Sequence, residues 1–352
     1  MKEKYSFSQI EKKQLGIFTA VAYGITFLMG ILMWYGSVKG LDISAFPNAQ
    51  MFYPAAGVML AYLLTKKEDM DMPKGFYIAF CICTAVLMLL AVVSIFVPIA
   101  PIQMQGMTIS VWTLIVQYVM ILGSVVCWIL YGVAGRQKRK AYGLSWNKGK
   151  ASWLMIGLFI LLYMLRTVVS CLMSGVGALA EFGETMLSMT TLISVVSLPV
   201  NFFLVFVAFF GEEYGWRYYL QPLLQKKFGL RGGVLVLGVV WGLWHLPIDF
   251  FYYTSVEMGL IAAVSQQITC IMLGIFFAYA YMKTGNIWVP VVLHFLNNNL
   301  IPVIVGNYST DVLENQQYSW AEIPLALLLN GVFFGLFILA KEFRGNSKKQ
   351  YE

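Results

Sequence analysis

The 352-residue chain contains two histidines, His245 and His294, and both stand in apolar stretches downstream of a glutamate pair in Glu212-Glu213-Tyr-Gly-Trp-Arg217. Carboxylates and imidazoles are costly to remove from water unless they are paired, so ionisable groups set into hydrophobic runs mark chemistry. Glu213 and Arg217 are four apart, the spacing that lets an acid and a base meet on one helical face. Glu212 is turned about 100° away, so one carboxylate can be held by arginine while the other faces a cavity. A buried ion pair that fixes helix position accounts for Glu213 with Arg217 and leaves Glu212 unexplained.

The second element, Trp241-Gly-Leu-Trp-His245-Leu-Pro247, closes the next apolar run. Between the two lies Gln225-Lys-Lys-Phe-Gly229-Leu-Arg231, whose glycine and basic residues suit a hairpin bend. Glu212 and His245 are each about 16 to 17 residues, roughly 25 Å of helix, from the centre of that bend, so they should lie at similar depth. A lone histidine on an apolar face is more often a satisfied core residue than a functional one, and the matched depth is what sets His245 apart. The third element is Gly285-Asn-Ile-Trp-Val-Pro290-Val-Val-Leu-His294-Phe-Leu-Asn297-Asn298-Asn299. His294 and Asn298 share a helical face, whereas Asn297 and Asn299 read as interhelical hydrogen-bonding glue.

The elements that must position these residues are transmembrane helices. Hydrophobic residues make up 59% of the chain and charged residues 12%, far from the roughly 25% charged of a soluble domain; the mean hydropathy is +0.73. Apolar runs near membrane-spanning length fall at about 14–36, 50–65, 76–99, 111–134, 152–174, 188–210, 233–251, 258–282, 287–306 and 321–340, giving about ten spans in an all-α polytopic bundle. The net charge of +7 is a topology signal. Lys66, Lys67 and Lys74, then Arg136 to Lys150, then Lys226, Lys227 and Arg231, then Lys283 fall in alternate loops, and the opposite loops hold Glu181, Glu184 and Glu257. That asymmetry places both termini in the cytoplasm and gives no support to a nucleic-acid partner. The five cysteines lie inside the spans, which suggests packing and no disulfide framework. Arg166 stands alone in the fifth span; Glu212 and Glu213 are the buried acids available to it, and snorkelling or pairing with a loop acid are equal alternatives.

Glu-Glu-x-x-x-Arg, then aromatic-x-x-x-His, then His-x-x-x-Asn, in this order and within membrane helices, resembles the CPBP family of intramembrane endopeptidases, which includes type II CAAX prenyl proteases and bacterial Abi and bacteriocin-immunity relatives. Residues from about 205 to 300 carry the resemblance, and the preceding Thr-Gly-Asn-Ile-Trp-x-Pro is also similar. Trp241 stands where the family usually has phenylalanine, so an aromatic is kept. Patterns of other membrane proteases are missing: neither histidine has the adjacent glutamate of His-Glu-x-x-His, and no Gly-x-Gly-Asp or Gly-x-Ser-Gly is found.

The resemblance implies a hydrolase of peptide or membrane-protein substrates in the cell membrane. It assigns the base to Glu212, which with His245 holds the attacking water, and leaves Glu213 to Arg217; His294 and Asn298 then donate to the developing oxyanion. It implies a reaction without a cofactor. Glu212, His245 and His294 would alternatively form a zinc site with an open water position, and no carboxylate partner for either imidazole is evident in the local sequence. A multispan transporter and a non-catalytic scaffold are the competing functions; clustering of the polar residues in one half of the chain speaks against the transporter. The basic segment after residue 135 divides the chain into an N-terminal four-helix membrane extension (1–135), a linker (136–151), the protease-like core (152–345) and a tail (346–352). No motif selects a substrate or an oligomeric state.

Overall fold

A computed structural model describes residues 6–104, 107–307, 314 and 316–345; the expected tail at 346–352 lies outside them. The chain is an all-helical, multi-pass membrane protein. Helices α1 (Gln9–Thr19) and α2 (Thr26–Lys39) are joined by a π-helical turn and followed by α3 (Ala45–Gln50), α4 (Tyr53–Thr65) and α5 (Lys74–Phe96). A short antiparallel hairpin, β1 (Ile102–Met104) with β2 (Met107–Ile109), leads to α6 (Val111–Val133) and α7 (Gly135–Ala141). Then come α8 (Gly149–Ser174), α9 (Val176–Leu187), α10 (Met189–Glu213), α11 (Gln221–Trp244), α12 (Leu246–Phe251), α13 (Gly259–Thr284), α14 (Trp288–Val305) and α15 (Ile323–Phe333).

Seven helical runs among the described residues are long and apolar enough to cross a bilayer. One of them, Met189–Phe251, holds 63 residues and folds back at Gly229, whose φ of 79° and ψ of 166° break α11 where the sequence placed its bend. The runs expected at 50–65 and 321–340 coincide with shorter helices, α4 of 13 residues and α15 of 11. Helix α4 is buried along most of its length, against other helices instead of lipid, which explains how so short an apolar helix is accommodated.

That central helix positions the site. A Cβ on Gly211 would collide with the Met51 carbonyl oxygen, and one on Gly215 with Pro54 Cβ. Glycine at both positions lets the glutamate-bearing helix press directly on the backbone at the start of α4. Further ties come from Gln50, which donates to the Trp244 carbonyl at 3.0 Å, from the Trp244 indole, which donates to the Ala22 carbonyl at 2.8 Å, and from the Tyr77 and Tyr214 hydroxyls, 2.6 Å apart. The first helices therefore buttress the residues singled out in the sequence.

Candidate active site

Each motif sits at an irregularity that its own sequence creates. Helix α10 ends at Glu213 and continues as a π-helical turn over Tyr214–Leu220, a widened geometry found mostly at functional sites. Helix α11 stops at Trp244 because Pro247, two residues past His245, occupies the first turn of α12 and cannot continue the preceding ladder. At the third motif, Gly285 takes a left-handed φ of 60° and ends α13. Asn286 then accepts the Trp288 N–H through its side chain at 3.1 Å, starting α14, and so fixes the register that aims His294.

Five of the predicted residues converge across these elements. Glu212, Glu213, Arg217, His245 and His294 are between 0 and 5% exposed. Glu213 Oε2 lies 3.0 Å from Arg217 Nε, and its Oε1 lies 2.9 Å from His294 Nδ1. The Arg217 guanidinium sits over the ring of Trp241 at 4.6 Å and that of Phe277 at 5.5 Å, so aromatic faces stabilise the part of its charge that Glu213 does not reach. Glu212 takes a different partner: the Trp241 indole N–H donates to its Oε2 at 2.7 Å. The carbonyl of the same Trp241 lies 2.8 Å from His245 Nδ1. A carbonyl only accepts, so Nδ1 carries the hydrogen and a neutral His245 presents a lone pair on Nε2.

Trp241 also lies against His294, with ring centroids 5.5 Å apart. Its indole, on a residue expected with Arg217 to support the site, thus links the first glutamate to both imidazoles. The Trp216 indole also lies near the Glu212 carboxylate without a well-aligned hydrogen bond, and the Nε2 atoms of both histidines take no hydrogen-bond partner among the described residues. Glu212, His245 and His294 keep 2%, 5% and 5% exposure. Among the described residues, no three His, Cys, Asp or Glu side chains group closely enough to hold a metal ion.

Residues 194–300 match the family model described as type II CAAX prenyl endopeptidase Rce1-like. The resemblance to the CPBP family holds. One curated relative, CAAX prenyl protease 2 of Methanococcus maripaludis, is 27% identical over 122 residues, which is 33% of this chain and 45% of that protein. The chain thus spans under half the length of that relative, and no solved structure matches it.

The CPBP-like segment contains every residue of the cluster, while some neighbours are placed differently from expectation. Arg166 does not meet either glutamate; its guanidinium donates to Asn330 Oδ1 at 2.8 Å and stacks on Tyr163 at 4.5 Å. A neutral amide with an aromatic face satisfies it outside the site. Asn297 and Asn299 are not glue between helices, because Asn297 donates to Asn298 Oδ1 at 3.0 Å and Asn299 to the Phe295 carbonyl at 2.9 Å, both within α14. Asn298 is half-buried, and its own N–H groups meet no acceptor among the described residues. Sequence reasoning missed two features. The carboxylate behind His294 is Glu213, 81 positions away. Asp249, four residues past His245, is fully buried with neither oxygen hydrogen-bonded among the described residues; its spacing from the histidine was the available signal.

Proposed function

We propose that the protein is an intramembrane endopeptidase in which Glu212 activates water against a peptide carbonyl. The observation that carries this reading is the division of labour between the two glutamates. Glu213 hydrogen-bonds His294 through one oxygen and faces Arg217 as an ion pair through the other, whereas Glu212 accepts from Trp241 on one oxygen and forms no well-aligned hydrogen bond on the other among the described residues. A water that donates to Glu212 and to the lone pair of His245 Nε2 has its own oxygen lone pairs directed at substrate. As that oxygen bonds to the carbonyl carbon, its proton passes to Glu212. Collapse of the tetrahedral intermediate breaks the C–N bond, and the same proton leaves with the amine.

The oxyanion is met by His294 and Asn298. With a proton on each nitrogen, His294 donates Nδ1–H to Glu213 and Nε2–H to the oxyanion, while Asn298 adds an uncommitted amide N–H one turn along α14. Each such donor is worth about 3 to 4 kcal/mol in acyl-transfer enzymes. Substrates are peptides or membrane-anchored proteins. Purified, reconstituted protein should cleave peptides that accumulate in membranes of a deletion strain carrying the Glu212→Gln protein. Glu212→Gln and His245→Ala should each abolish cleavage while the protein remains folded; processing at the normal rate by either variant rules the assignment out, and a purified protein that cleaves nothing leaves a transporter or scaffold.

The contact of Glu213 with His294 also favours a second reading, since a zinc-bound imidazole takes such a carboxylate on its far nitrogen. Glu212, His245 and His294 are the ligands the sequence would offer, but they do not group closely enough among the described residues to hold an ion, so no step of the proposed reaction runs through a metal. Activity that persists in chelator, with no zinc found by elemental analysis, decides for the metal-free reaction.

A further inference from the structure

We infer that the protein carries a site for an anionic phospholipid of the bilayer, separate from the peptidase cluster. A cavity of about 640 Å³ opens sideways between α8 and α10, with α6 and α14 as its other walls. Its lining is almost wholly apolar and includes Tyr131, Trp153, Leu198, Trp288, Val292 and Phe295. On α14 the lining runs from Trp288 to Leu296, about 12 Å along the helix axis, the proportions of a slot for an extended chain. Trp153 at its mouth is 66% exposed, so the cavity is open to lipid.

One end of this slot is basic. The Arg139 guanidinium lies 4.7 Å over the ring of Tyr131, and among the described residues it meets no carboxylate. Arg136, Lys140 and Lys150 are exposed on the same segment and likewise have no acidic partner among the described residues. Tyr131 and Trp288 are tied to that segment, because both donate to the Leu144 carbonyl, at 3.1 and 2.7 Å. An amphiphile fits with its tail in the slot and its phosphate at Arg139, as in other basic pockets between membrane helices. Charge complementarity thus selects the occupant, since the ammonium of a zwitterionic lipid would sit among the same cations while an anionic lipid brings only its phosphate.

The slot is distinct from the peptidase cluster. Val292 and Leu296 are each two residues from His294, about 200° around α14, so lipid and catalytic imidazole occupy opposite faces of one helix. Phe295 lies between them, packed on Phe202 and Phe209, and Phe209 in turn meets the His294 ring at 5.4 Å. An occupied slot would therefore brace the helix that aims His294.

The test uses the full chain in nanodiscs of equal phosphatidylglycerol and phosphatidylcholine, with retained lipid read by native mass spectrometry. Wild-type protein should retain phosphatidylglycerol over phosphatidylcholine by about fivefold or more, the preference expected for one basic side chain near a membrane surface. Arg139→Gln should bring the ratio close to one, and Leu198→Trp, which fills the slot, should reduce retention of both lipids. Arg139→Gln alters a half-exposed side chain and so keeps the test open if the tryptophan variant misfolds. Equal retention of the two lipids by wild-type protein, an unchanged ratio in Arg139→Gln, or displacement of the lipid by a lipidated peptide each overturns the proposal; the last would give the slot to substrate.

Discussion

Trp241→Phe isolates one interaction of the site. The substitution removes the indole N–H that lies 2.7 Å from Glu212 Oε2 and keeps an aromatic ring against Arg217 and His294. The bond from His245 Nδ1 goes to the Trp241 backbone carbonyl and survives. A hydrogen bond to an ionised group contributes about 1.5 to 3 kcal/mol, and each 1.36 kcal/mol is tenfold in rate, so kcat/KM should fall about tenfold to 150-fold if Glu212 must be held as the base. Loss of buried ring volume should lower stability by a further 1 to 2 kcal/mol or so, a fraction of what complete truncation of a buried tryptophan costs. Trp244→Phe supplies the control, because it deletes a similar N–H bond of 2.8 Å, but one made to the Ala22 carbonyl. Cleavage of a fluorogenic peptide in nanodiscs, with thermal unfolding of each variant, separates the two effects. The reasoning fails if Trp241→Phe cleaves within twofold of wild type while Glu212→Gln is inactive.

Arg217→Met leaves Glu213 buried with His294 as its remaining partner, and breaking such a pair should lower stability by about 3 to 5 kcal/mol; the double variant Glu213→Gln with Arg217→Met should recover at least half of that in thermal unfolding. Gly215→Ala drives a Cβ into the Pro54 backbone, 2.8 Å from its carbonyl carbon, and should lower stability by about 1 to 3 kcal/mol or prevent folding. Gly157→Ala, where nothing lies within 4 Å of the new Cβ, should be neutral or stabilising by up to about 1 kcal/mol. Outside the membrane, the Tyr142 hydroxyl and then the Asp71 backbone N–H hold the Asp69 carboxyl below its usual range. The stability this adds is present above the ordinary carboxylate value near 3.8 and is lost as pH falls through the lowered value in the folded protein. Tyr142→Phe should therefore flatten the acid limb of unfolding temperature against pH, and an unchanged limb would count against the contact.

What the sequence made legible was local. Glu213 with Arg217, and the bend at Gly229, follow from spacing within one helical hairpin, and the structure shows both. Partners that join distant helices were hidden, because nothing in the chain between Glu213 and His294 encodes that the two will touch. Hydropathy also conceals donors. Trp241 and Trp244 count as apolar, yet each uses its N–H on a buried acceptor, and it is this polar tip on an apolar body that lets a membrane interior hold a carboxylate without a second cation. Arg166 shows the converse: the sequence left the glutamates, a loop acid and snorkelling open for a lone cation in an apolar run, and an amide with an aromatic face is what it meets.

The first helices were illegible for a related reason. They carry few ionisable residues, so nothing in their sequence announces a role, yet the glutamate-bearing helix touches their backbone at Gly211 and Gly215. The family match begins at residue 194, and the surface against which its first motif is packed is supplied by residues 51 to 54. The position of Glu212 in this chain is therefore set partly by a segment outside the matched residues. A side chain aimed by backbone contact tolerates less displacement than one resting on flexible side chains, because the close-packed interior has no slack to absorb it. Variation at the start of α4 should consequently act on the site through position, altering catalysis without touching substrate.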